Sequence, residues 1–285
     1  MRSAPGGDGL ISTTTFCTGY WRVDNNQKKT TAQYARHFAG LCHHIRNGRL
    51  VVFYEDDDVL AHFRDVGRSC GVRIVGRRIA FTELPTFHLS ERLLAGCRAM
   101  AAAQSVRPTA FRNEKGTLHY WRDYVDGGED VYRRLVTIWT SKIPLVLHAG
   151  MGGDAESAPR YAWVDASIAR FDRRRSGWRF AARPHPPHAV AHYRSAMRVR
   201  GERLPINASL LSAPSALWPG LATLFQRTLE DVLADAYAHD EETVLGLCHR
   251  RQPALFSSIG GPVGRLRQRL MALARPDQWA SGAER

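Results

Sequence analysis

The sequence predicts an α/β fold in which helices flank a mostly parallel sheet. Roughly the first 80 residues alternate between short apolar or β-branched segments and amphipathic helical patterns, in the order β-α-β-α-β. Residues 50–54, Leu-Val-Val-Phe-Tyr, are apolar throughout and lack the alternation of a half-exposed strand. Uniformly apolar strands are typical of parallel sheets covered on both faces. These patterns together indicate a doubly wound sheet.

Each predicted element has a local reason in the sequence. The first strand is β-branched and aromatic and ends near Gly19, where a turn is easily made. The first helix places Tyr34, Phe38 and Leu41 on one face, and Ser90 is expected to cap the third helix. The predicted strands are residues 11–20, 50–54, 72–81, 161–171 and 206–212, and residues 253–256 are either a last strand or an extended segment. The predicted helices are residues 31–46, 59–68, 90–104, 130–148, 215–238 (one or two helices), 243–249 and 263–274.

Three segments are expected to interrupt this pattern. Residues 111–128 are polar and aromatic, end in two glycines and carry no assigned element. Pro144 is expected to kink or break the helix around it. Residues 184–188, Pro-His-Pro-Pro-His, indicate a rigid turn, whose histidines His185 and His188 either bind a metal or lie in a surface loop.

Composition bounds the class of protein. With 285 residues, 44% of them hydrophobic, the chain can bury a large core. The predicted division is a disordered tail at 1–9, a single domain at 10–260, and a C-terminal helix and tail at 261–285. The five cysteines are scattered without a Cys-x-x-Cys pair, so reduced thiols that pack as small hydrophobic groups are expected.

The formal net charge of +13 favours anionic partners such as nucleic acid, anionic lipid or phosphorylated small molecules, or else gives only a solvated basic surface. The basic residues are spread along the chain and no nucleic-acid motif occurs, so no specific nucleic-acid partner is expected. No apolar run reaches the ~18 residues of a membrane span, and the first residues lack the pattern of a signal peptide. A cytoplasmic location is therefore predicted. The basic helix at 263–274 either docks on its own domain or makes a peripheral contact with an anionic membrane.

One acid is singled out by its surroundings. Asp165 is predicted to lie in the middle of the buried strand 161–171, with Ser167 on the same face two residues later. A buried carboxylate must find a cation, a donor or a proton. It is therefore either paired with an arginine of the core or part of a ligand site at the edge of the sheet.

A second acidic group follows the strand at 50–54. Residues 55–58, Glu-Asp-Asp-Asp, either cap the next helix or place Asp56 against a ribose or base, because ligands bind at the carboxyl edge of parallel sheets. The glycine-rich fingerprint of dinucleotide-binding folds and the P-loop are both missing.

Four segments together resemble a known family. They are the strand Thr15-Phe-Cys-Thr-Gly-Tyr, the strand at 50–54 with its acids, the helix with Trp139-Thr-Ser-Lys, and the strand Trp163-Val-Asp-Ala-Ser. In this order they resemble the HtrL/YibB family of bacterial proteins, which includes the WlaTC-like members of polysaccharide gene clusters. That family looks like a branch of the GT-A nucleotide-sugar glycosyltransferases. The resemblance therefore implies a GT-A-like (Rossmann-type) domain over residues 11 to 256.

The resemblance implies a role for Asp165. GT-A enzymes use an Asp-x-Asp segment to hold Mn²⁺ or Mg²⁺ against the diphosphate of the sugar donor. Here the tripeptide is Asp165-Ala-Ser167, so the second acid is missing. Either Asp165 holds the metal with Ser167 and water, or cationic side chains take its place. Lys142 and the arginines at 173–175 are the candidates for that second route.

The resemblance also implies roles for other residues. Thr18 and Tyr20 would meet the nucleotide, with Tyr20 stacking on the base. Asn207 would lie beside the donor sugar. Asp240 and Glu241 would lie over the acceptor, where an inverting transferase needs a carboxylate to take the proton of the acceptor hydroxyl. Asp240 is alternatively a helix N-cap, which leaves Glu241 as the better candidate for a free carboxylate.

The function predicted from the sequence is that of a glycosyltransferase. It would move a sugar from a nucleoside diphosphate donor to a hydroxyl acceptor in a polysaccharide, glycolipid or secondary metabolite. One alternative is a catalytically degenerate protein of the same fold, which the missing second acid favours. The other is a basic protein that binds nucleic acid or an anionic surface, which the net charge favours.

Overall fold

The computed structural model describes seven stretches of the chain. They are residues 13–26, 29–103, 106–110, 113–151, 158–170, 185–233 and 240–260. The predicted tail at 1–9, the arginines at 173–175 and the predicted helix and tail at 261–285 lie outside these stretches. The division into one domain with two tails stays a prediction.

One seven-stranded sheet organises the described residues. Its strand order is β3-β2-β1-β4-β8-β5-β9, and β6 and β7 form a separate small hairpin. The strands are β1 (Thr14–Tyr20), β2 (Arg49–Tyr54), β3 (Arg73–Arg78), β4 (Arg160–Val164), β5 (Val190–Tyr193), β6 (Arg198–Val199), β7 (Glu202–Arg203), β8 (Asn207–Pro214) and β9 (Phe256–Ser258).

All but one of the seven strands run in the same direction. β1 pairs in parallel with β2 and β4, β2 with β3, and β5 with β9. Only β8 is reversed, because it pairs antiparallel with both β4 and β5. The prediction of an α/β fold with a mostly parallel sheet flanked by helices is confirmed, and its GT-A-like character stays a prediction.

Helices cover both faces of the sheet. They are α1 (Thr31–His44), α2 (Asp57–Ser69), α3 (Ser90–Ala103), α4 (Lys115–Leu118), α5 (Glu129–Met151), α6 (Trp218–Val232) and α7 (Glu241–Arg251). Side chains of β1 alternate between two cores, as the period of two in a strand requires. Phe16 belongs to the core that contains Phe38 of α1, whereas Cys17 belongs to the core that contains Val136 of α5 and Phe225 of α6.

Side-chain caps fix the beginnings of two helices. Thr30 accepts a hydrogen bond from the backbone N–H of Gln33 at 3.2 Å, and Gln33 accepts one from the backbone N–H of Thr30 at 2.9 Å, so α1 begins with a capping box. Asp240 accepts from the backbone N–H of Thr243 at 2.8 Å and caps α7, as one alternative had predicted.

Several predicted elements need correction. β4 ends at Val164, so Asp165 and Ser167 lie in the turn after the strand and not in its middle. The alternative that Pro144 breaks its helix is wrong, because α5 continues to Met151 and the buried Ile143 and Leu145 on either side of the proline pack into one core; a kink at Pro144 stays a prediction.

Two further corrections concern segments without a predicted element. β5 was not predicted, because its four residues are fixed by pairing with β8 and β9, which are distant in the sequence. The polar stretch at 111–128 contains α4 and then a π-helical segment, His119–Val125. The last predicted strand, 253–256, is a helical turn, Pro253–Leu255, followed by β9.

Two predictions about side chains and length can also be checked. All five cysteines are buried with free thiols, which confirms that prediction. Within the described stretches, no helix combines the length and apolar character that a crossing of the bilayer requires.

Candidate functional site

A cavity of about 110 Å³ lies where β1 and β4 end. Gly19, next to the last residue of β1, and Asp165, directly after β4, both line it. From these two neighbouring strands the sheet continues through β2 on one side and through β8 on the other. Such a switch point at the carboxyl edge is where open α/β sheets bind ligands.

Lys142 is the cation at the centre of the cavity wall. It extends from α5, and its Nζ lies 2.9 Å from Oδ1 of Asp165 and 2.6 Å from Oε1 of Glu241 at the start of α7. Burial alone would lower the pKa of Lys142, but these two carboxylates outweigh burial and raise the pKa above its ordinary value. One buried ammonium therefore joins three elements of the fold.

Asp165 is held by donors on both oxygens. Besides Lys142, Oδ1 accepts from Nε1 of Trp163 at 3.2 Å, and Oδ2 faces Nη2 of Arg170 at 3.4 Å. Burial would raise the pKa of this carboxyl, but the charges of Lys142 and Arg170 hold the pKa below its ordinary value. Asp165 is therefore an ionised carboxylate.

Ser167 is contacted by two cations as well. Its hydroxyl oxygen accepts from Nη1 of Arg170 at 2.8 Å and from Nζ of Lys29 at 3.0 Å. Arg170 also donates to the hydroxyl of Ser209 in β8 at 2.6 Å. The turn after β4 is thus surrounded by positive charge.

Asp240, the N-cap of α7, binds a lysine and a histidine. Its Oδ2 pairs with Nζ of Lys115 and lies 2.9 Å from Nε2 of His119, while Oδ1 accepts from the N–H of Thr243. Although burial would raise the pKa of Asp240, Lys115 and His119 hold the pKa well below its ordinary value. Every oxygen of Asp240 therefore already has a partner.

His119 lies between two carboxylates. Its Nδ1 is 2.8 Å from Oδ2 of Asp123, and Nε2 faces Asp240. Burial would lower the pKa of His119, but the two hydrogen bonds raise the pKa above its ordinary value. Each ring nitrogen faces a carboxylate oxygen, which can only accept, so both nitrogens donate. Arg122 donates to both oxygens of Asp123, at 2.7 and 2.8 Å, and is the last member of this series of hydrogen-bonded side chains.

Glu242 anchors the same helix end to β8. Its Oε1 accepts from the side chain of Asn207 at 2.9 Å and from the N–H of Ala208 at 3.2 Å. Its Oε2 accepts from the hydroxyl of Ser195 at 3.1 Å and lies 2.9 Å from Nζ of Lys115. Glu242 is therefore a structural carboxylate with both oxygens in use.

Charged groups of both signs line the cavity. Four carboxylates face four cations, with the His119 imidazolium in addition. The carboxylates belong to Asp165, Asp240, Glu241 and Glu242, and the cations to Lys29, Lys115, Lys142 and Arg170. A group that enters with negative charge can replace a carboxylate as the partner of these cations, because the cations are already in place.

Aromatic rings form the remaining wall. Tyr34 of α1 and Trp139 of α5 line both this cavity and a smaller adjoining recess of about 60 Å³, which Tyr20 also lines. The ring of Tyr20 packs edge-on against Tyr34, with centroids 5.2 Å apart. Burial raises the pKa of Tyr34 to about 12, so its hydroxyl stays neutral.

A divalent cation does not fit the residues around Asp165. The oxygens of Asp165 face Lys142 and Arg170, and Ser167 accepts from Arg170 and from Lys29. Within the described stretches, no three His, Cys, Asp or Glu side chains come together as metal ligands. His185 and His188 are therefore not part of such a group either. A metal at Asp165 would have to displace Lys142 or Arg170, so the cationic route is the one that the geometry favours.

The structure brings together five of the residues selected from the sequence. Lys142, Asp165, Ser167, Asp240 and Glu241 all line the cavity. The prediction that Glu241 has a free carboxylate needs correction, because Lys142 pairs with its Oε1.

The other selected residues lie elsewhere. Thr18 is buried in β1 and points to the opposite face from Gly19, and Asp56 pairs with Arg22 at 3.5 Å outside the cavity. Asn207 is outside the lining of the cavity and contacts it through Glu242 and the backbone N–H of Ser209. Tyr20 lines the smaller recess.

Sequence analysis missed the cluster of Lys115, His119 and Asp123. These residues are spaced four apart, which places them on one face of a helix. The spacing was overlooked because the surrounding polar stretch had no assigned element. A π-helical segment, as here, often occurs at functional sites.

Comparison with known proteins gives little further information. The sequence matches no family model and no curated protein. Among solved structures, the chain is similar to the apo-form glycosyltransferase GlyE of Streptococcus pneumoniae TIGR4, with 10% identity and a TM-score of 0.41. The alignment covers 87% of this chain and 45% of that chain, so this chain spans less than half the length of GlyE. The function must therefore be argued from the site itself.

Proposed function

We propose that the protein is a glycosyltransferase that uses a nucleoside diphosphate sugar as donor and a hydroxyl group as acceptor. The observation that carries the proposal is the cavity at the switch point of the sheet, where four cations and four carboxylates line one small space. Cations suit a diphosphate leaving group, and a carboxylate suits the removal of a proton from an acceptor hydroxyl. The resemblance noted in the sequence points the same way.

In this proposal, cationic side chains hold the diphosphate. Lys142 and Arg170 lie on either side of Asp165, and Lys29 reaches the same turn through Ser167. The diphosphate oxygens would take over part of the coordination that Asp165 and Glu241 provide to Lys142. As the bond between the anomeric carbon and the phosphate oxygen breaks, that oxygen gains charge, and preformed cations stabilise this charge without reorganisation.

Glu241 is the proposed base. Lys142 pairs with its Oε1, and among the described residues Oε2 has no hydrogen bond or ion pair. Asp240 and Glu242 are less suited, because both oxygens of each already accept hydrogen bonds or ion pairs. Glu241 would take the proton of the acceptor hydroxyl. At the same time the hydroxyl oxygen would bond to the anomeric carbon, and the nucleoside diphosphate would leave.

Nucleotide binding tests the donor part of the proposal. We expect isothermal titration calorimetry to detect at least one of UDP, GDP, CDP and dTDP, with affinity reduced about 10-fold or more in Lys142→Gln and Arg170→Gln. Arg68→Gln, which removes an exposed arginine on α2, is the matched control and should bind as the wild type does. Absence of binding by all four nucleotides, with the protein folded by circular dichroism, would sink the proposal.

A catalytically degenerate protein of the same fold is the second candidate. The specific observation in its favour is that every carboxylate lining the cavity is paired with a cation. It predicts nucleotide binding without hydrolysis or transfer for any donor sugar. The further alternative from the sequence, a binding protein for nucleic acid or an anionic surface, predicts an affinity for DNA or RNA that falls steeply with salt.

A further inference from the structure

A second cavity, of about 240 Å³, lies between the ends of β5 and β9. Both strands run in the same direction as β4, so this cavity opens at the same edge of the sheet as the candidate site. Arg194 follows β5 directly, Ser258 is the last residue of β9, and both line the cavity.

The described lining of this cavity has positive charge and no carboxylate. Its ionisable members are Arg194, Arg203, His192 and His249. This composition differs from that of the candidate site, where four carboxylates accompany the cations. The exposed Glu202 pairs with Arg250 at 3.8 Å and is not part of the lining. A cavity of this charge favours an anionic occupant.

Each of the two exposed arginines makes one hydrogen bond through its own Nε atom. Nε of Arg194 donates to the hydroxyl of Ser258 at 3.3 Å, and Nε of Arg203 donates to the carbonyl oxygen of Ser195 at 3.2 Å. Among the described residues, the terminal Nη atoms of neither arginine have a hydrogen-bond partner. Two oriented guanidinium groups with available donors are well suited to the oxygens of a phosphate.

His192 adds a buried imidazole to this wall. Its Nδ1 lies 2.9 Å from the carbonyl oxygen of Tyr193, which can only accept, so Nδ1 carries the proton and Nε2 is left to meet a ligand. Burial lowers the pKa of His192 to about 4, and the neighbouring charges of His249 and Arg194 act in the same direction. The permanent charge of the cavity therefore comes from the two arginines.

One hydrogen bond connects the two cavities. Ser195, which lines the second cavity, donates to Oε2 of Glu242, which lines the first. The same Oε2 lies 2.9 Å from Nζ of Lys115 in the first cavity. The linings of the two cavities are therefore in direct contact through this hydrogen bond.

We propose that the second cavity binds a phosphate group of the acceptor while the acceptor hydroxyl lies in the first cavity. The inference rests on the proposed transferase function. Two guanidinium charges match the charge of a phosphate monoester, which is about −1.5 to −2 at neutral pH. The acceptor is thus a phosphorylated molecule, and Arg194 and Arg203 are the residues that select it.

Binding of a small probe tests the site without any transfer reaction. We expect methyl phosphate, titrated calorimetrically in phosphate-free buffer, to bind the wild type and Arg68→Gln equally. The double variant Arg194→Gln/Arg203→Gln should bind it about 10-fold or more weakly, because each arginine supplies charge-assisted hydrogen bonds. Lys142→Gln, in contrast, should lose nucleotide affinity but keep methyl phosphate affinity. Equal methyl phosphate affinity in the wild type and the double variant would overturn the proposal.

Steady-state transfer then identifies the source of the phosphate. With monosaccharide phosphates and their parent sugars as acceptors, the double variant should raise KM for the phosphorylated acceptor and leave KM for the neutral one unchanged. Methyl phosphate should compete with the phosphorylated acceptor. If methyl phosphate instead stimulates transfer to the neutral sugar through Arg194 and Arg203, the site binds a free effector and the acceptor assignment is wrong. Failure of the wild type to bind nucleotides would overturn the transferase proposal, while the methyl phosphate titration would still decide whether the cavity binds anions.

Discussion

Nζ of Lys142 lies 2.9 Å from Oδ1 of Asp165, where the lysine side chain is 7% exposed and the aspartate side chain 19% exposed. The pair connects the long helix α5 to the turn after β4, and Glu241 brings α7 to the same ammonium. An ion pair in such surroundings is costly to break, because a partner left alone keeps its charge without water. The pair is therefore both a structural contact and the centre of the candidate site.

Replacement of Lys142 by methionine should destabilise the fold. The variant leaves Asp165 and Glu241 buried without their shared cation, which is expected to lower the free energy of unfolding by about 3–5 kcal/mol at neutral pH. Urea unfolding followed by circular dichroism measures this change. The matched control is Arg68→Met, which removes an exposed pair with Asp65 and should unfold close to the wild type. Wild-type stability in Lys142→Met would show that the pair contributes nothing.

Stability should fall at acid pH through the buried aspartates. Asp123, Asp165 and Asp240 have folded pKa values below the unfolded value of about 3.9. In this range the unfolded state binds more protons, so the stabilisation is complete above the unfolded pKa and is lost as the pH falls towards the folded values. Urea unfolding between pH 6 and pH 3 should show this loss, and Asp165→Asn should reduce it. A free energy of unfolding that does not change in this range would contradict the prediction.

His119 should give the opposite dependence at higher pH. Its folded pKa is raised, so its contribution is complete below the unfolded pKa of about 6.5 and is lost as the pH rises through the folded pKa. The wild type should therefore lose stability between pH 6 and pH 9 relative to His119→Gln, measured in the same urea series. Parallel pH profiles for the two proteins would show that the histidine is not held as an imidazolium.

Gly19 should not tolerate a side chain. A Cβ atom there would lie 2.5 Å from Cζ3 of Trp21 and 3.4 Å from Cη2 of Trp163, so at least one buried ring must move. Overpacking of this kind costs about 1–3 kcal/mol, and Gly19→Ala should also weaken nucleotide binding, since Gly19 lines the cavity. The control is Gly220→Ala in α6, where a Cβ meets no atom within 4 Å. Equal melting temperatures for the two variants would contradict the packing argument.

The sequence was sufficient for the architecture and for part of the site. The first three strands and the two helices between them follow patterns within short stretches of sequence. The bounds of these elements were therefore predicted within a few residues. Asp165 was selected because an acid beside apolar strand residues is chemically conspicuous, although its place after the strand was not predicted.

What could not be predicted depends on contacts between distant segments. Lys115 meets Asp240, and Ser195 meets Glu242, only after the sheet has brought α7 beside α4 and β8. β5 is short and owes its existence to β8 and β9. The resemblance to the HtrL/YibB family and the cytoplasmic location stay predictions.

Nucleotide binding should not require a divalent metal. Lys142 and Arg170 occupy the oxygens of Asp165 that a metal would need, so cations of the protein are expected to neutralise the diphosphate. Titration of the nucleotide that binds best should give the same affinity, within about threefold, in excess EDTA and in excess Mn²⁺ or Mg²⁺. Affinity that appears only with metal would reverse this conclusion and restore Asp165 as a metal ligand.

Replacement of Glu241 by glutamine should separate donor binding from transfer. The amide keeps the shape of the side chain and leaves Lys142 its pair with Asp165, so nucleoside diphosphate affinity is expected to stay within a few-fold of wild type. Loss of a general base lowers rates about 10²- to 10⁴-fold, and a fall of that size in kcat for transfer is expected. Asp240→Asn is the comparison, because asparagine can still cap α7 while the charge that pairs with Lys115 and His119 is lost. It should lower stability more than kcat. If Asp240→Asn abolishes transfer and Glu241→Gln does not, the base is Asp240 and the assignment to Glu241 is wrong.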